Sequence, residues 1–263
     1  MQQQSPVSGP ARRKRQTGGA GTASPDFITA LARGLDVLRC FRSEPKTLGN
    51  QELARLTGLP KPTISRITFT LTELGYLRYH AESGKYSPGH AALALGFGLL
   101  AGLAIRDLAK ADMTALATQT GGAVALGAFD GDAMVYVEAM HGSPALYLRL
   151  PVGYRASLDT AMGRAYLAAL APAAREALMA SPSAPGEQVV QEALRDYERH
   201  GCCFAIGQWQ SGINAAAVAF PALTGEGVFV LSCGGPAELL PPALLHDQVA
   251  PALVRVAARL SGK

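Results

Sequence analysis

The segment that most constrains the fold is residues 58–78, which read GLPKPTISRITFTLTELGYLR. It contains apolar residues at intervals of three, four and three, as one stripe of a helix requires: Ile64, Ile67, Leu71 and Leu74. Pro62 suits a first helical turn, because the N–H group that proline lacks would have no helical partner there. Gly75 favours a helix end. The sequence therefore predicts a short helix over 62–74 with both ends fixed.

The opposite face of this helix carries short hydroxyl side chains and cations instead of long, mixed charges. The residues predicted on this side or at the start of the helix are Lys61, Thr63, Ser65, Arg66 and Thr70. Hydroxyl groups and cations near a helix N-terminus suit phosphates and base edges. An ordinary solvated face is the alternative interpretation, and the neighbouring segments bear on the choice.

The segments on either side predict a winged helix over 26–89. Residues 47–58 form a second short helix that ends at Gly58, which together with the first predicts a helix-turn-helix. Residues 26–43 have helical apolar spacing and predict a third packing helix. Residues 76–89 read as strand, turn and strand. The hairpin carries Arg78, His80 and Lys85, which would reach phosphates or a neighbouring groove.

Positive charge is concentrated in the first third of the chain. Residues 1–90 contain 13 Lys or Arg and 6 Asp or Glu, a net +7, whereas residues 91–263 contain 11 and 14, a net −3. This asymmetry favours a polyanionic partner for the first part only. Residues 1–25 lack apolar periodicity and include a basic run at 12–15, so they predict a disordered basic arm. The arm either scans DNA or is a solvated tail.

The rest of the chain predicts an antiparallel sheet flanked by helices, which makes the fold class α+β. Residues 90–119 read as helical throughout, and their apolar start, 91–105, is short for a membrane span of roughly 20 residues. We expect that start to pack against another subunit. The predicted strands are 123–129, 133–140, 145–153, 202–205, 214–223 and 227–235. The predicted helices are 159–170, with Asp159 as its cap, 172–180, 187–200 and 241–260.

Motifs for catalysis, cofactors or metals do not stand out. The sequence contains no HExxH, GxSxG or Walker pattern, and its five histidines are scattered. Four cysteines, Cys40, Cys202, Cys203 and Cys233, lack metal-ligand spacing, and the vicinal pair suits a reducing cytosol. We therefore expect a cytoplasmic protein without catalytic residues, metal or cofactor and without a membrane partner. The alternative is a thiol enzyme that uses Cys203 or Cys233 and is tethered to DNA by the first domain.

In their order and spacing, these pieces resemble the IclR family of bacterial transcriptional regulators. The resemblance covers about residues 27–260. It is carried by ALARGLDVLRCF, LGNQELARLTGLPKPTISRITFTLTELGYL, GKYSPG, DGDAMVYVE, LRLPVGYRASLDTAMGRAYLA, HGCCFAIGQWQSGINAAAVAF and LSCGGP. It implies a winged helix-turn-helix (26–89), a linker helix (90–105) and a GAF-like α/β effector-binding domain with an antiparallel sheet (106–263). It also implies dimers or tetramers that bind double-stranded DNA operators of catabolic genes in response to a small metabolite.

The resemblance further implies an effector pocket between the sheet and the helix near Asp159. The residues that carry over are Ala161, Met162, Cys203, Ala205, Trp209, Ala215, Ser232 and Gly234. Family members that bind small oxo-acids tend to have an acid at the position of Ala205, a cysteine at that of Ala215 and a second serine at that of Gly234.

This chain lacks all three of those polar groups. Because pockets take specificity from a few polar groups, their loss favours a larger, less polar effector such as an aromatic acid or phenol. The alternative is a sensor that has lost tight ligand binding. Adjacent strand residues face opposite sides, so at most one of Cys202 and Cys203 faces the ligand, and we expect it to be Cys203.

Overall fold

The structure is a computed structural model that describes residues 26–42, 47–142 and 150–263. The chain divides into two compact units, one ending at Pro88 and one beginning at Gly89, with residues 42–44 grouped with the second. The predicted basic arm, 1–25, lies outside the described residues.

The N-terminal unit consists of three helices followed by a hairpin, as predicted. The helices are α1 (Thr29–Arg39), α2 (Asn50–Thr57) and α3 (Lys61–Glu73), and the strands are β1 (Leu77–His80) and β2 (Lys85–Pro88). Gly58 ends α2 in a left-handed conformation (φ +71°) that glycine adopts without strain. Leu48 bridges to Tyr86 of the hairpin by two backbone hydrogen bonds of 3.0 and 2.9 Å. We call this hairpin, residues 77–88, the wing.

A small apolar core holds the three helices and the wing together. Its buried side chains are Val37, Phe41, Leu48, Leu53, Ile64 and Leu77. Ile67 and Leu71 of the predicted α3 stripe pack partly against this core, whereas Leu74 does not. Leu74 is the residue that follows the last turn of α3, and it is 61% exposed.

The C-terminal unit contains a six-stranded antiparallel sheet in the order β5-β4-β3-β8-β7-β6. The strands are β3 (Ala123–Phe129), β4 (Met134–His141), β5 (Arg155–Ala156), β6 (Cys203–Ile206), β7 (Ile213–Pro221) and β8 (Val228–Pro236). The helices are α4 (His90–Gly102), α5 (Ala104–Thr120), α6 (Ala161–Ala169), α7 (Pro172–Met179), α8 (Glu187–His200), α9 (Pro242–Leu244) and α10 (Ala250–Leu260). A π-helical turn, Leu245–Val249, joins α9 to α10.

Several predicted elements differ in detail. The helix predicted over 90–119 breaks at Leu103, and the axes of α4 and α5 differ by 75°. The strand predicted at 145–153 falls mostly outside the described residues, and the described strand that follows is β5. Thr160, not Asp159, caps α6, because its hydroxyl accepts from the Gly163 N–H at 3.2 Å.

Helix α4 consists almost entirely of apolar residues and glycine. In the parts of the chain described, no single helix is long and apolar enough to cross a bilayer. Only α4 and α5 taken together have the length and composition of a membrane span, and they are bent relative to each other.

The two faces of the sheet carry side chains of different size. One face packs large residues such as Leu126, Phe220 and Leu231 against α5 and α10. The other face carries mostly alanines, which pack against α6 and α8. The sheet therefore has a fully packed side and a side with room left under α6.

Candidate DNA-contact surface and effector cavity

The exposed face of α3 carries most of the residues predicted to contact DNA. Lys61, Ser65, Arg66 and Thr70 are exposed, and Thr63 is half-buried. Successive helical residues are rotated by about 100°, which puts Arg66 roughly opposite the buried Ile64 and places Ser65 on the flank between them. The Thr70 hydroxyl donates to the Arg66 carbonyl at 2.9 Å, so it is already engaged within the helix.

The same face carries a large apolar residue that was not among the predicted contacts. Phe69 follows Ser65 by four residues and Arg66 by three, and it is 65% exposed. The signal was present in the sequence, because a phenylalanine outside the apolar stripe of a short amphipathic helix has no core to enter.

A buried hydroxyl fixes α3 against α2. Thr68 is fully buried, and its hydroxyl oxygen lies 3.0 Å from the Ile64 carbonyl oxygen and 3.2 Å from the Asn50 side-chain oxygen, so its one proton is shared between acceptors on α3 and α2. This contact sets the rotation of α3 about its axis. The face that carries Arg66 therefore points away from the small core.

The wing presents two of its predicted contacts, Arg78 and Lys85, differently. Arg78 is exposed, whereas Lys85 is half-buried and its ammonium lies 3.2 Å from the Glu52 carboxylate. That carboxylate also accepts from the Gly49 N–H at 2.7 Å at the start of α2. The Gly49 hydrogen bond and then Lys85 lower the pKa of Glu52. Lys85 thus has a partner within the unit, and Arg78 is the better candidate for a phosphate contact.

A cavity of about 60 Å³ lies under the N-terminal end of α6. One water needs roughly 10–15 Å³ by a comparable measure, so the cavity has room for a small ligand. Seven of the eight residues expected at the effector pocket line it: Ala161, Met162, Ala205, Trp209, Ala215, Ser232 and Gly234. Sequence analysis did not find the other lining side chains, which include Tyr136, His141, Tyr154 and Thr160.

The register of the sheet explains why the cavity exists. Ala205 pairs with Ala215, Ala215 with Gly234, and Gly234 with Ala123, so one row across four strands has almost no side-chain volume. The next row on the same face runs from Ala217 through Ser232 to Ala125. A row of alanine and glycine leaves space that α6 covers without filling.

Cys203 is a correction to the expected pocket. It faces the same side of the sheet as Ala205. It lies two residues before Ala205 on β6, however, where α8 covers the sheet. There its thiol is fully buried and donates to the Ala193 carbonyl of α8 at 3.3 Å. The cover of α8 keeps Cys203 out of the cavity lining.

Neutral phenol groups dominate the polar side of the cavity. Burial raises the pKa of Tyr136 well above its ordinary range, Tyr154 adds to the shift, and a hydrogen bond with Ser232 opposes it. Burial also raises the pKa of Tyr154. The two rings meet edge to face with centroids 5.4 Å apart. Both phenols are therefore protonated at neutral pH and are placed to donate to an acceptor on a ligand.

The N-terminal end of α6 packs closely against the chain segment that precedes it because Gly163 has no side chain. A Cβ atom there would lie 2.3 Å from the Leu158 Cα atom, a backbone contact that cannot be relieved by a rotamer change. Thr160, Ala161 and Met162, at the start of this helix, all line the cavity. The first turn of a helix favours anions.

Two family models match the chain. They are the IclR helix-turn-helix domain over residues 30–81 and the bacterial transcriptional regulator IclR C-terminal domain over residues 97–261. The chain belongs to the IclR family of transcriptional regulators. As an IclR-family chain it is a regulator with a DNA-binding helix-turn-helix domain and an effector-binding C-terminal domain.

Individual relatives agree with this assignment. The HTH-type transcriptional regulator TsaQ1/TsaQ2 of Comamonas testosteroni is 32% identical over 239 residues, 86% of this chain and 85% of that protein. An IclR family transcriptional regulator from Brucella abortus is 40% identical, with 93% of this chain and 96% of that chain covered and a TM-score of 0.82. An IclR homologue from Microbacterium hydrocarbonoxydans, solved with 4-hydroxybenzoate, shares the fold at 22% identity, with 89% of this chain and 98% of that chain covered and a TM-score of 0.68.

The cysteines of this IclR-family chain have the environment of structural thiols. Burial and the charge of Asp196 raise the pKa of Cys202 from 9.0 to about 12. Burial raises the pKa of Cys233 to about 11, although a hydrogen bond with Thr120 opposes it, and the pKa of Cys203 is raised in the same way as that of Cys202. A thiol nucleophile needs a lowered pKa and an accessible sulfur. The alternative of a thiol enzyme therefore finds no support in these three residues.

These environments predict how the thiols react. At about pH 8, where an ordinary thiol begins to ionise, we expect DTNB to modify the half-buried Cys40 in the folded chain, and all four cysteines after denaturation. A Cys40→Ser variant should show no fast-reacting thiol in its folded state. Fast modification of Cys203 or Cys233 without unfolding would contradict the prediction and revive the thiol-enzyme alternative.

Proposed function

We propose that this regulator acts in the cytoplasm and contacts operator bases with the exposed face of α3 and operator phosphates with the wing. We further propose that a partly aromatic anion bound in the cavity controls this contact, and that the chain works as a homo-oligomer through α4. The exposed Arg66, which lies roughly opposite the buried Ile64 with the exposed Ser65 beside it, is the observation that supports base contact most directly. Arginine at such a position favours guanine, through two parallel hydrogen bonds.

Base contact and phosphate contact predict different behaviour for two exposed arginines. Arg66→Ala should weaken binding to the preferred operator by about 1–3 kcal/mol and relax specificity at one position in each half-site. Arg78→Ala should weaken all duplexes about equally and reduce the slope of log affinity against log salt by about one.

Binding titrations on matched and singly substituted duplexes, at two salt concentrations, separate the two effects. Arg39→Ala is a suitable control, because Arg39 is exposed on α1, outside the proposed surface, and paired with Asp36 at 3.1 Å. Unchanged affinity and specificity for Arg66→Ala would remove that residue from the proposed surface.

The lining of the cavity supports an effector that is larger and less polar than a two- or three-carbon oxo-acid. The alanines and glycine leave an apolar floor, and Tyr136, Tyr154 and Trp209 provide ring contacts. The phenols and the first turn of α6 provide donors for an anionic group. The homologue solved with 4-hydroxybenzoate has a ligand of this chemistry, and we extend that class of ligand to this chain as part of the proposal.

We expect 4-hydroxybenzoate to raise the melting temperature of the full-length chain and change the fluorescence of Trp209, the single tryptophan, whereas glyoxylate and pyruvate should not. Tyr154→Phe should reduce affinity by roughly the value of one hydrogen bond, about 0.5–1.5 kcal/mol. Tyr197→Phe is the matched control, because Tyr197 packs against the same core but does not line the cavity. Stabilisation by an oxo-acid alone would contradict the proposed effector class, and no response to any of these compounds would favour a sensor that has lost tight binding.

Self-association is supported by the exposed apolar surface of α4. None of its residues is buried, and four large side chains are 58–64% exposed: Leu93, Leu95, Phe97 and Leu99. A helix that is apolar on all sides is stable only when covered. A second copy of the chain would cover it, and a symmetric dimer suits the half-sites of an operator.

Replacing apolar side chains of α4 should therefore shift the chain towards monomer. We expect the wild type to be at least a dimer at about 10 µM and the double variant Leu95→Gln, Leu99→Gln to dissociate at least tenfold more easily, as measured by light scattering. Leu108→Gln is the control, because Leu108 is 48% exposed but belongs to α5. A monomeric wild type, or a double variant that associates like the control, would contradict this role for α4.

A further inference from the structure

Phe69 is an apolar side chain held in the middle of a polar, cationic surface. It is 65% exposed and lies on α3, one turn beyond Ser65 and Arg66. At about 100° per residue, Pro62, Ser65, Arg66 and Phe69 fall within roughly one third of the helix circumference, a sector that excludes the buried Ile64 and Thr68. An exposed ring in this position lacks a role in the packing of the N-terminal unit.

The spacing of these residues has a physical meaning for a helix in a major groove. Residues at steps of three, one and three along a helix share one face, and the reading helix of homeodomains contacts DNA from positions with this spacing. In α3 the same steps lead from Pro62 to Ser65, Arg66 and Phe69. Phe69 therefore reaches the groove floor if Arg66 does.

A phenylalanine at the floor of the major groove can distinguish thymine from the other bases through the thymine C5-methyl group. The major groove of B-DNA exposes hydrogen-bond donors and acceptors on every base pair, and thymine adds a C5-methyl group, which is an apolar partner for phenylalanine. The neighbouring Arg66 suits guanine, so the two side chains select different bases. Glu73, one turn beyond Phe69, carries a negative charge that DNA phosphates repel. The DNA-contacting surface of α3 therefore ends near Phe69.

We propose that Phe69 is a specificity-determining residue that contacts the C5-methyl group of a thymine in each operator half-site. The inference rests on the proposed assignment of the exposed face of α3 as the base-contacting face. It adds a second, apolar specificity contact to the charged one of Arg66.

The test removes the methyl group from the DNA and the ring from the protein. Duplexes selected from a randomised pool by the full-length wild-type chain provide the operator, and each thymine is then replaced in turn by deoxyuridine. For the wild type, we expect at least one thymine per half-site at which this replacement weakens binding about fourfold, which corresponds to one buried methyl group at about 0.8 kcal/mol. Phe69→Ala should bind the unmodified operator more weakly and show no response to deoxyuridine at that position.

Leu74→Ala provides the matched control. Leu74 is 61% exposed, so its loss also removes an exposed apolar side chain from the end of α3, but it is rotated from Phe69 by about 140° around the helix. This variant should keep wild-type affinity and the full deoxyuridine penalty. Circular dichroism of both variants should match that of the wild type, because neither side chain is buried.

Two results would overturn the Phe69 proposal but leave the assignment of the α3 face intact. One is a selected operator without any methyl-sensitive thymine, and the other is a Phe69→Ala variant that loses as much affinity as the wild type on deoxyuridine replacement. A wild-type chain that selects an operator to which Arg66→Ala binds normally would overturn the assignment of the α3 face, and the Phe69 proposal with it. The two failures are therefore distinguishable.

Discussion

The antiparallel register of the six-stranded sheet is the constraint on which the C-terminal unit depends. Successive side chains of a strand point to opposite faces of the sheet. In β3, Val124 and Leu126 therefore lie on one face and Ala123 and Ala125 on the other, and β7 and β8 repeat this pattern in register. A shift by one residue would exchange the two faces and place the large side chains under α6. The packed core against α5 and α10 and the cavity under α6 are therefore two consequences of one pairing.

The same sheet connects the cavity to the junction between α4 and α5. The pairing of β4 with β3 shifts by one residue at Val137, which forms a bulge between Tyr136 and Glu138. Tyr136 lines the cavity, and the Glu138 carboxylate lies 2.9 Å from the Arg106 guanidinium. Arg106 also donates to the Leu100 carbonyl of α4 at 2.9 Å. A ligand that moves Tyr136 thus acts on a strand that is tied to the end of α4. Its effect on DNA affinity is limited to its differential affinity for the two states of the chain.

Local signals in the sequence predicted the α+β fold and the elements of the N-terminal unit, because Pro62, Gly58 and the apolar stripe act over a few residues. The direction of Cys203 also followed from strand alternation. Its cover by α8 and the break at Leu103 depend on contacts between separate elements of the fold, which local patterns do not show. At Leu103, the Glu226 carboxylate of the β7–β8 turn accepts from the Ala104 N–H at 2.7 Å, a contact across 122 residues that periodicity cannot show.

The electrostatics of the cavity constrain how a carboxylate would be held there. Arg164 is buried in α6 next to the cavity-lining Thr160, but its guanidinium is already bonded to the Asp159 carbonyl and the Glu192 carboxylate. The polar groups that line the cavity are instead a serine, a threonine, two protonated phenols and His141. Phenol and hydroxyl donors keep their protons through the neutral range. If these and the first-turn N–H groups of α6 hold the anion, its retention depends on hydrogen-bond geometry, so small changes at the start of α6 or in β4 suffice to alter affinity.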